Sequence, residues 1–78
     1  MNKHILLVMK WLNNPESVTQ EGLLASYESA VYSAAYTAVY WAVYWAAYDF
    51  ADDATYWVNE YFKITSEDKQ TYIDKLGG

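Results

Sequence analysis

The chain has no cysteine, no arginine, one histidine and one proline, and no glycine or proline falls between residues 23 and 76. Without cysteine there are no disulfides and no thiolate zinc sites. His4 alone cannot assemble an imidazole metal site. Catalysis also lacks its usual parts: there is no thiol nucleophile, no glycine-rich loop, no arginine and no Ser/His/Asp set in a suggestive order. His4, beside Lys3 near the N-terminus, reads as solvent-exposed. No enzyme, metal or cofactor is expected.

Cations are almost as scarce. All five are lysines, with Lys3 and Lys10 near the start and Lys63, Lys69 and Lys75 near the end. Between them stand seven carboxylates (Glu16, Glu21, Glu28, Asp49, Asp52, Asp53, Glu60) and no positive charge. Such a stretch repels phosphate backbones, whose binding needs lysine or arginine to displace counterions, so direct nucleic-acid binding is not expected. An acidic chain can instead occupy the basic surfaces of other proteins, with long-range attraction raising its on-rate. At 78 residues there is room for one domain with a thin core. With disulfides and metals excluded, self-association is the remaining staple, and a homo-oligomer is expected. No secretory leader is expected either: Lys10 interrupts the first apolar run and no small-residue cleavage site follows. Cysteine-free composition is compatible with a cytoplasmic location.

What is present is helical periodicity. Ile5, Leu6, Val8, Met9 and Leu12 make an apolar stripe over residues 3–12, stopped by Asn13-Asn14-Pro15. A second helix starts at Asn14-Pro15 or at a Ser17/Gln20 capping box, with Gly22 weakening its first turn. From Ala30 a four-residue repeat runs AVYS, AAYT, AVYW, AVYW, AAYD, FADD, ATYW. A period of four lies far closer to the helix than to the strand, so the expectation is a long helix over about residues 20–62, either continuous or bent or split near residues 49–53. A short C-terminal helix near residues 66–76, capped by Thr65-Ser66-Glu67-Asp68 and closed by Gly77-Gly78, buries Tyr72, Ile73 and Leu76. The fold class is all-α.

Because 4 exceeds 3.6, each repeat rotates a stripe by about 40°. On a continuous helix Tyr32, Tyr36, Tyr40, Tyr44 and Tyr48, with Val43 and Val58, sweep one hemisphere. The alanines, with Glu28, Asp49, Asp52, Asp53 and Glu60, sweep the other, and Trp41 and Trp45 lie at the border. The tyrosine ladder reads first as core or self-association surface, and second as a binding platform of the kind tyrosine favours. Asp49, Asp52 and Asp53, at i, i+3 and i+4, read as a solvated carboxylate face, or else as a mimic of phosphate charge. Residues 29–48 carry no charge over 20 residues, but five tyrosines, two tryptophans and the hydroxyls of Ser29, Ser33 and Thr37 make them a poor membrane span. No membrane insertion is expected.

The two ends, MNKHILLVMKWLNNPESVTQE and YWVNEYF…YIDKL, resemble short accessory proteins of tailed phages of enteric bacteria. Those proteins enclose a variable Ala-rich tract between better-defined ends. The resemblance covers about residues 1–21 and 56–76, and the centre is alike only in composition. It implies a phage context and a host-cell cytoplasm, where small acidic proteins bind and disable host enzymes or defence factors. The expectation is an inhibitor of a host or defence protein, acting through Tyr32, Tyr36, Tyr40, Tyr44, Tyr48, Trp41, Trp45, Asp49, Asp52 and Asp53. Two alternatives stand beside it: an oligomeric sponge holding a nucleotide signal between tyrosines, and a self-assembling structural array of Ala/Tyr helices.

Overall fold

A computed structural model describes residues 1–33 and 36–77, the side chains of Tyr32 and Ser33 excepted. Those residues form five α-helices and a 3-10 turn: α1 (Lys3–Asn13), the turn Pro15–Ser17, α2 (Gln20–Ser33), α3 (Thr37–Ala47), α4 (Ala51–Thr65) and α5 (Lys69–Leu76). No strand occurs among the described residues. The Asn2 side chain opens α1 by accepting from the backbone N–H groups of His4 and Ile5 at 3.0 and 3.1 Å. Thr19 opens α2, its hydroxyl accepting from the Gly22 N–H at 3.0 Å. The helix therefore starts ahead of Gly22 and includes it, and Ser17 belongs to the 3-10 turn instead of a capping box.

The expected long helix is three helices. A straight helix over residues 20–62 would be about 65 Å long, more than twice the 28 Å extent of the molecule. Such a rod would leave its rotating stripes with little to bury against. The break near residues 49–53 falls where it was expected, and a complete C-terminal motif makes it. Asp49 takes a left-handed conformation with φ 67°. Its N–H donates to Ala46 O at 3.0 Å, and the Phe50 N–H donates to Trp45 O at 2.9 Å. The Phe50 ring meets the Trp45 ring edge-on at 5.4 Å. This is the Schellman pattern with its accompanying apolar contact, built on aspartate where glycine is commoner. The other break was not expected: Tyr36 is extended (φ −123°, ψ 135°) and α3 begins after it.

α3 is the central helix, packed against α4, α2 and α1, while α5 lies against α1. Its inner side consists of Ala38, Val39, Ala42, Val43, Ala46 and Ala47, all buried. Ile5, Val8, Met9 and Trp11 of α1, Leu23 of α2, and Ala54, Val58 and Tyr61 of α4 complete the core with Tyr72 of α5. This corrects the two hemispheres drawn for a continuous helix. The alanines face inward, Val43 and Val58 join them, and Glu28, Asp49, Asp52, Asp53 and Glu60 do not share their side. Ile73 is largely exposed although Tyr72 beside it is buried.

His4 is buried, not exposed, and its Nδ1 shares a hydrogen bond with Ser26 Oγ at 2.8 Å. Burial, assisted by the Lys3 charge, pushes its pKa below the ordinary 6.5. Two tyrosines are also fully buried. The Tyr61 hydroxyl donates to Glu67, and the Tyr72 hydroxyl donates to the same carboxylate at 2.5 Å and accepts from the Asn2 N–H at 2.7 Å. Burial, then the bond to Glu67, raises both phenol pKa values. The two phenols hold the carboxyl of Glu67 below its usual range. No buried side-chain polar atom among the described residues lacks a partner.

Close packing around small residues leaves no space for larger ones. Ala42→Leu and Ala46→Leu, at positions with no exposed area, should each cost about 1–3 kcal/mol in urea unfolding. Ala25→Leu, on the exposed side of α2, should change stability by no more than about 0.5 kcal/mol. Equal costs at positions 25 and 42 would contradict this packing.

Candidate interaction surface

With the alanines inward, the large rings of α3 point the other way. Tyr40, Trp41, Tyr44 and Trp45 are half-buried and Tyr48 is exposed. Rings four residues apart on α3 lie near-parallel: Tyr40 and Tyr44 at 6.3 Å between centroids, Trp41 and Trp45 at 6.4 Å. The tyrosine and tryptophan rows meet at close to right angles, with Tyr40–Trp41 at 5.0 Å and Tyr44–Trp45 at 5.0 Å. Edge-to-face geometry of this kind sets positive ring edges against negative faces and adds about 0.5–1.5 kcal/mol per pair beyond area burial.

Neighbouring helices extend the surface. Tyr27 of α2 packs on Tyr40 at 5.3 Å and on Tyr44 at 5.7 Å. Its hydroxyl shares a hydrogen bond with that of Tyr40 at 3.0 Å. Trp57 of α4 lies near-parallel to Trp41 at 6.3 Å, and Tyr56 meets Trp57 edge-on at 5.1 Å. Tyr48 touches Tyr44 at 4.9 Å and Phe50 touches Trp45. Nine rings thus form one connected face across α2, α3, the turn after α3, and α4. Tyr48, Phe50 and Tyr56, at 58, 52 and 56 % exposure, are its most open members.

Five of the residues expected to bind a partner, Tyr40, Trp41, Tyr44, Trp45 and Tyr48, therefore do stand together. Tyr36 does not join them: its ring sits edge-on to the buried Tyr61 at 6.0 Å, on the far side of the helix break. The side chain of Tyr32 lies outside the described residues. The three aspartates are divided. Asp49 forms the turn, whereas Asp52 and Asp53 occupy the first turn of α4, where carboxylates suit the helix dipole. They do not form a single helical face, and among the described residues no group of three or more His, Asp or Glu is placed to hold a metal.

Sequence reasoning missed Tyr27, Phe50, Tyr56 and Trp57. For the last two a signal existed, since ATYW is a unit of the same repeat. The charge around the face is one-sided. Asp53 precedes Tyr56 and Trp57 by three and four residues, and Glu60 follows them by the same spacing, so both neighbour those rings on α4. Glu60 is ion-paired to Lys63 at 3.2 Å. Lys69 lies 5.9 Å from the centroid of Phe62, outside the nine-ring face.

The chain matches no protein-family model, no curated protein and no solved structure. No helix among the described residues is long and apolar enough to cross a membrane.

The Tyr27–Tyr40 contact is testable by titration. The bond from Tyr40 and then burial push the Tyr27 pKa up from 10.0 to about 12. A raised phenol pKa means that the neutral ring is favoured in the fold. Its stabilising contribution is complete below about pH 10 and is lost as pH rises through about 12. In Tyr40→Phe, which has one tyrosine fewer, the ultraviolet absorbance step near pH 12 should be lost as Tyr27 returns to the ordinary phenol range. No step near pH 12 in the unaltered chain, or persistence of that step in Tyr40→Phe, would contradict the contact.

Proposed function

We propose that the chain is a small acidic binding protein whose nine-ring face engages another protein, and that this partner is a host or defence protein which it inhibits. One observation carries the binding reading: nine of the large aromatic side chains form a single continuous surface, with the buried alanines of α3 beneath them. Fifteen aromatic residues in 78 exceed what so small a core accepts. Tyrosine and tryptophan are the residues in which binding hot spots concentrate. The identity of the partner class rests on the resemblance of residues 1–21 and 56–76 to phage accessory proteins. Binding, not catalysis, is the activity proposed, and the phage context places it in the cytoplasm of the host.

The face serves this reading better than it serves a nucleotide sponge, because Asp53 and Glu60 neighbour its rings and repel a phosphate, and Lys63 is already paired with Glu60. It also serves it better than an open helical array. The alanine stripe that would bring two chains together is already buried within one chain at Ala38, Ala42 and Ala46. Self-association through the rings would compete with partner binding, so the mass of the free protein belongs beside the binding assay.

The test uses open rings whose loss spares the core. Tyr48→Ser with Tyr56→Ser should abolish capture of the partner from host lysate, a loss of about 30-fold or more in affinity if either ring is a hot spot. Ile64→Ser with Ile73→Ser, which are exposed elsewhere, should capture it as the unaltered chain does. Undiminished capture by the Tyr48/Tyr56 variant would overturn the reading, as would no captured protein at all.

A further inference from the structure

Away from the rings, the lysines gather where the surface opens into a groove. A cleft of about 270 Å³ lies between α1, α4 and α5, with apolar walls from Met9, Leu12, Val58 and Leu76 and with Lys69 and Asn59 among the residues lining it. A second cleft of about 240 Å³ shares Asn13 and Leu76 with the first and is lined by Lys10 and Lys75. Three of the five lysines of a chain with net charge −5 therefore border one continuous groove. The ion pair among the described residues is Lys63–Glu60, so none of these three is paired with a described carboxylate.

Local helix electrostatics accounts for two of them. Lys10 and Lys75 occupy the last turns of α1 and α5, where a cation meets the negative end of the dipole. Lys69 is different: it is the first residue of α5, the end at which a cation is unfavourable. Its amine is nevertheless held at the cleft, donating to Asn59 Oδ1 at 2.9 Å. The amine has a neutral partner, an apolar floor beside it and no anion. A small amphipathic site needs that combination: an apolar wall with a few fixed polar groups at its edge.

We propose that this groove binds a small organic anion with an apolar body, of the class of a medium-chain carboxylate. The chain of such a ligand lies on Met9, Leu12, Val58 and Leu76, and its carboxylate meets the Lys69 amine. Ligand size follows from the clefts, each of which is smaller than the usual small-molecule site and which together fall within that range. Ligand charge follows from three lysines around an apolar surface, none of them ion-paired among the described residues. The groove shares no residue with the aromatic face and stands or falls independently of it.

Decanoate titrated into the ¹⁵N-labelled full chain is the test. Saturable amide shifts should centre on Met9, Leu12, Asn13 and Leu76. Lys69→Met should weaken binding about tenfold, as loss of a charge-assisted hydrogen bond does, while Lys69→Arg retains it. Decanol, with the same chain and no charge, should bind more weakly than decanoate. Lys69 is exposed, and thermal unfolding of Lys69→Met checks that its fold is kept. The proposal is overturned by the absence of saturable shifts at millimolar decanoate. Shifts centred on Trp41 and Trp57, or equal affinities of Lys69→Met and the unaltered chain, overturn it as well.

Discussion

The central helix is buried on the side where its side chains are smallest. Ala38, Ala42 and Ala46 recur every fourth residue along α3, and with Val39, Val43 and Ala47 they fill its whole inner surface. The spacing between packed helices depends on the side chains at their contact, so this stripe draws α1, α2 and α4 in close. No ring of α3 lies on that inner surface, and the indole of Trp11 and the phenols of Tyr61 and Tyr72 reach the core from other helices. The rings of α3 are displaced to its opposite side, where they stack on one another and on Tyr27 and Trp57. One constraint thus produces both the core and the candidate binding surface.

Hydrogen bonding reinforces the sorting. A buried phenol needs a partner for its hydroxyl, and the interior supplies few. Glu67 accepts from both Tyr61 and Tyr72, and these are the two tyrosines that are fully buried. Thr65 helps to place that carboxylate, its hydroxyl donating to Tyr61 O and accepting from the Glu67 N–H. The described tyrosines without such an acceptor keep at least part of the ring at the surface, where water or a partner protein can complete them.

The helical class and the boundaries of α1 were legible because apolar spacing and Asn13-Asn14-Pro15 speak directly to local backbone preference. The break after Tyr48 was legible for a similar reason, in the cluster of aspartates that interrupts the repeat. Which stripe faces inward was not. A period of four places alanine and tyrosine on opposite hemispheres with equal regularity, and both count as apolar in pattern reading. Packing distance decided between them, and that is a property of the assembled helices. The break at Tyr36 carries no glycine or proline to announce it. Once the helix divides there and at Asp49, the phases of its segments are no longer linked. Tyr36 and the aspartates then leave the positions that a continuous helix assigned them, and Tyr27 and Trp57 arrive beside Trp41 and Tyr44. His4 was misjudged by its nearness to the terminus, since Asn2 caps α1 early enough to carry the ring into contact with Ser26.

The central claim, alanine on the inner side of α3 and its aromatic rings on the outer side, is tested most directly by a map of ring accessibility on the native protein. Hydroxyl-radical footprinting read by mass spectrometry resolves it residue by residue. The structure requires rapid modification of Tyr48, Phe50 and Tyr56, slower modification of Trp41, Tyr44, Trp45 and Trp57, and protection of Trp11, Tyr61 and Tyr72. Protection of the Tyr40, Tyr44 and Tyr48 ladder in the monomeric chain, with Tyr61 and Tyr72 reactive, would contradict the account.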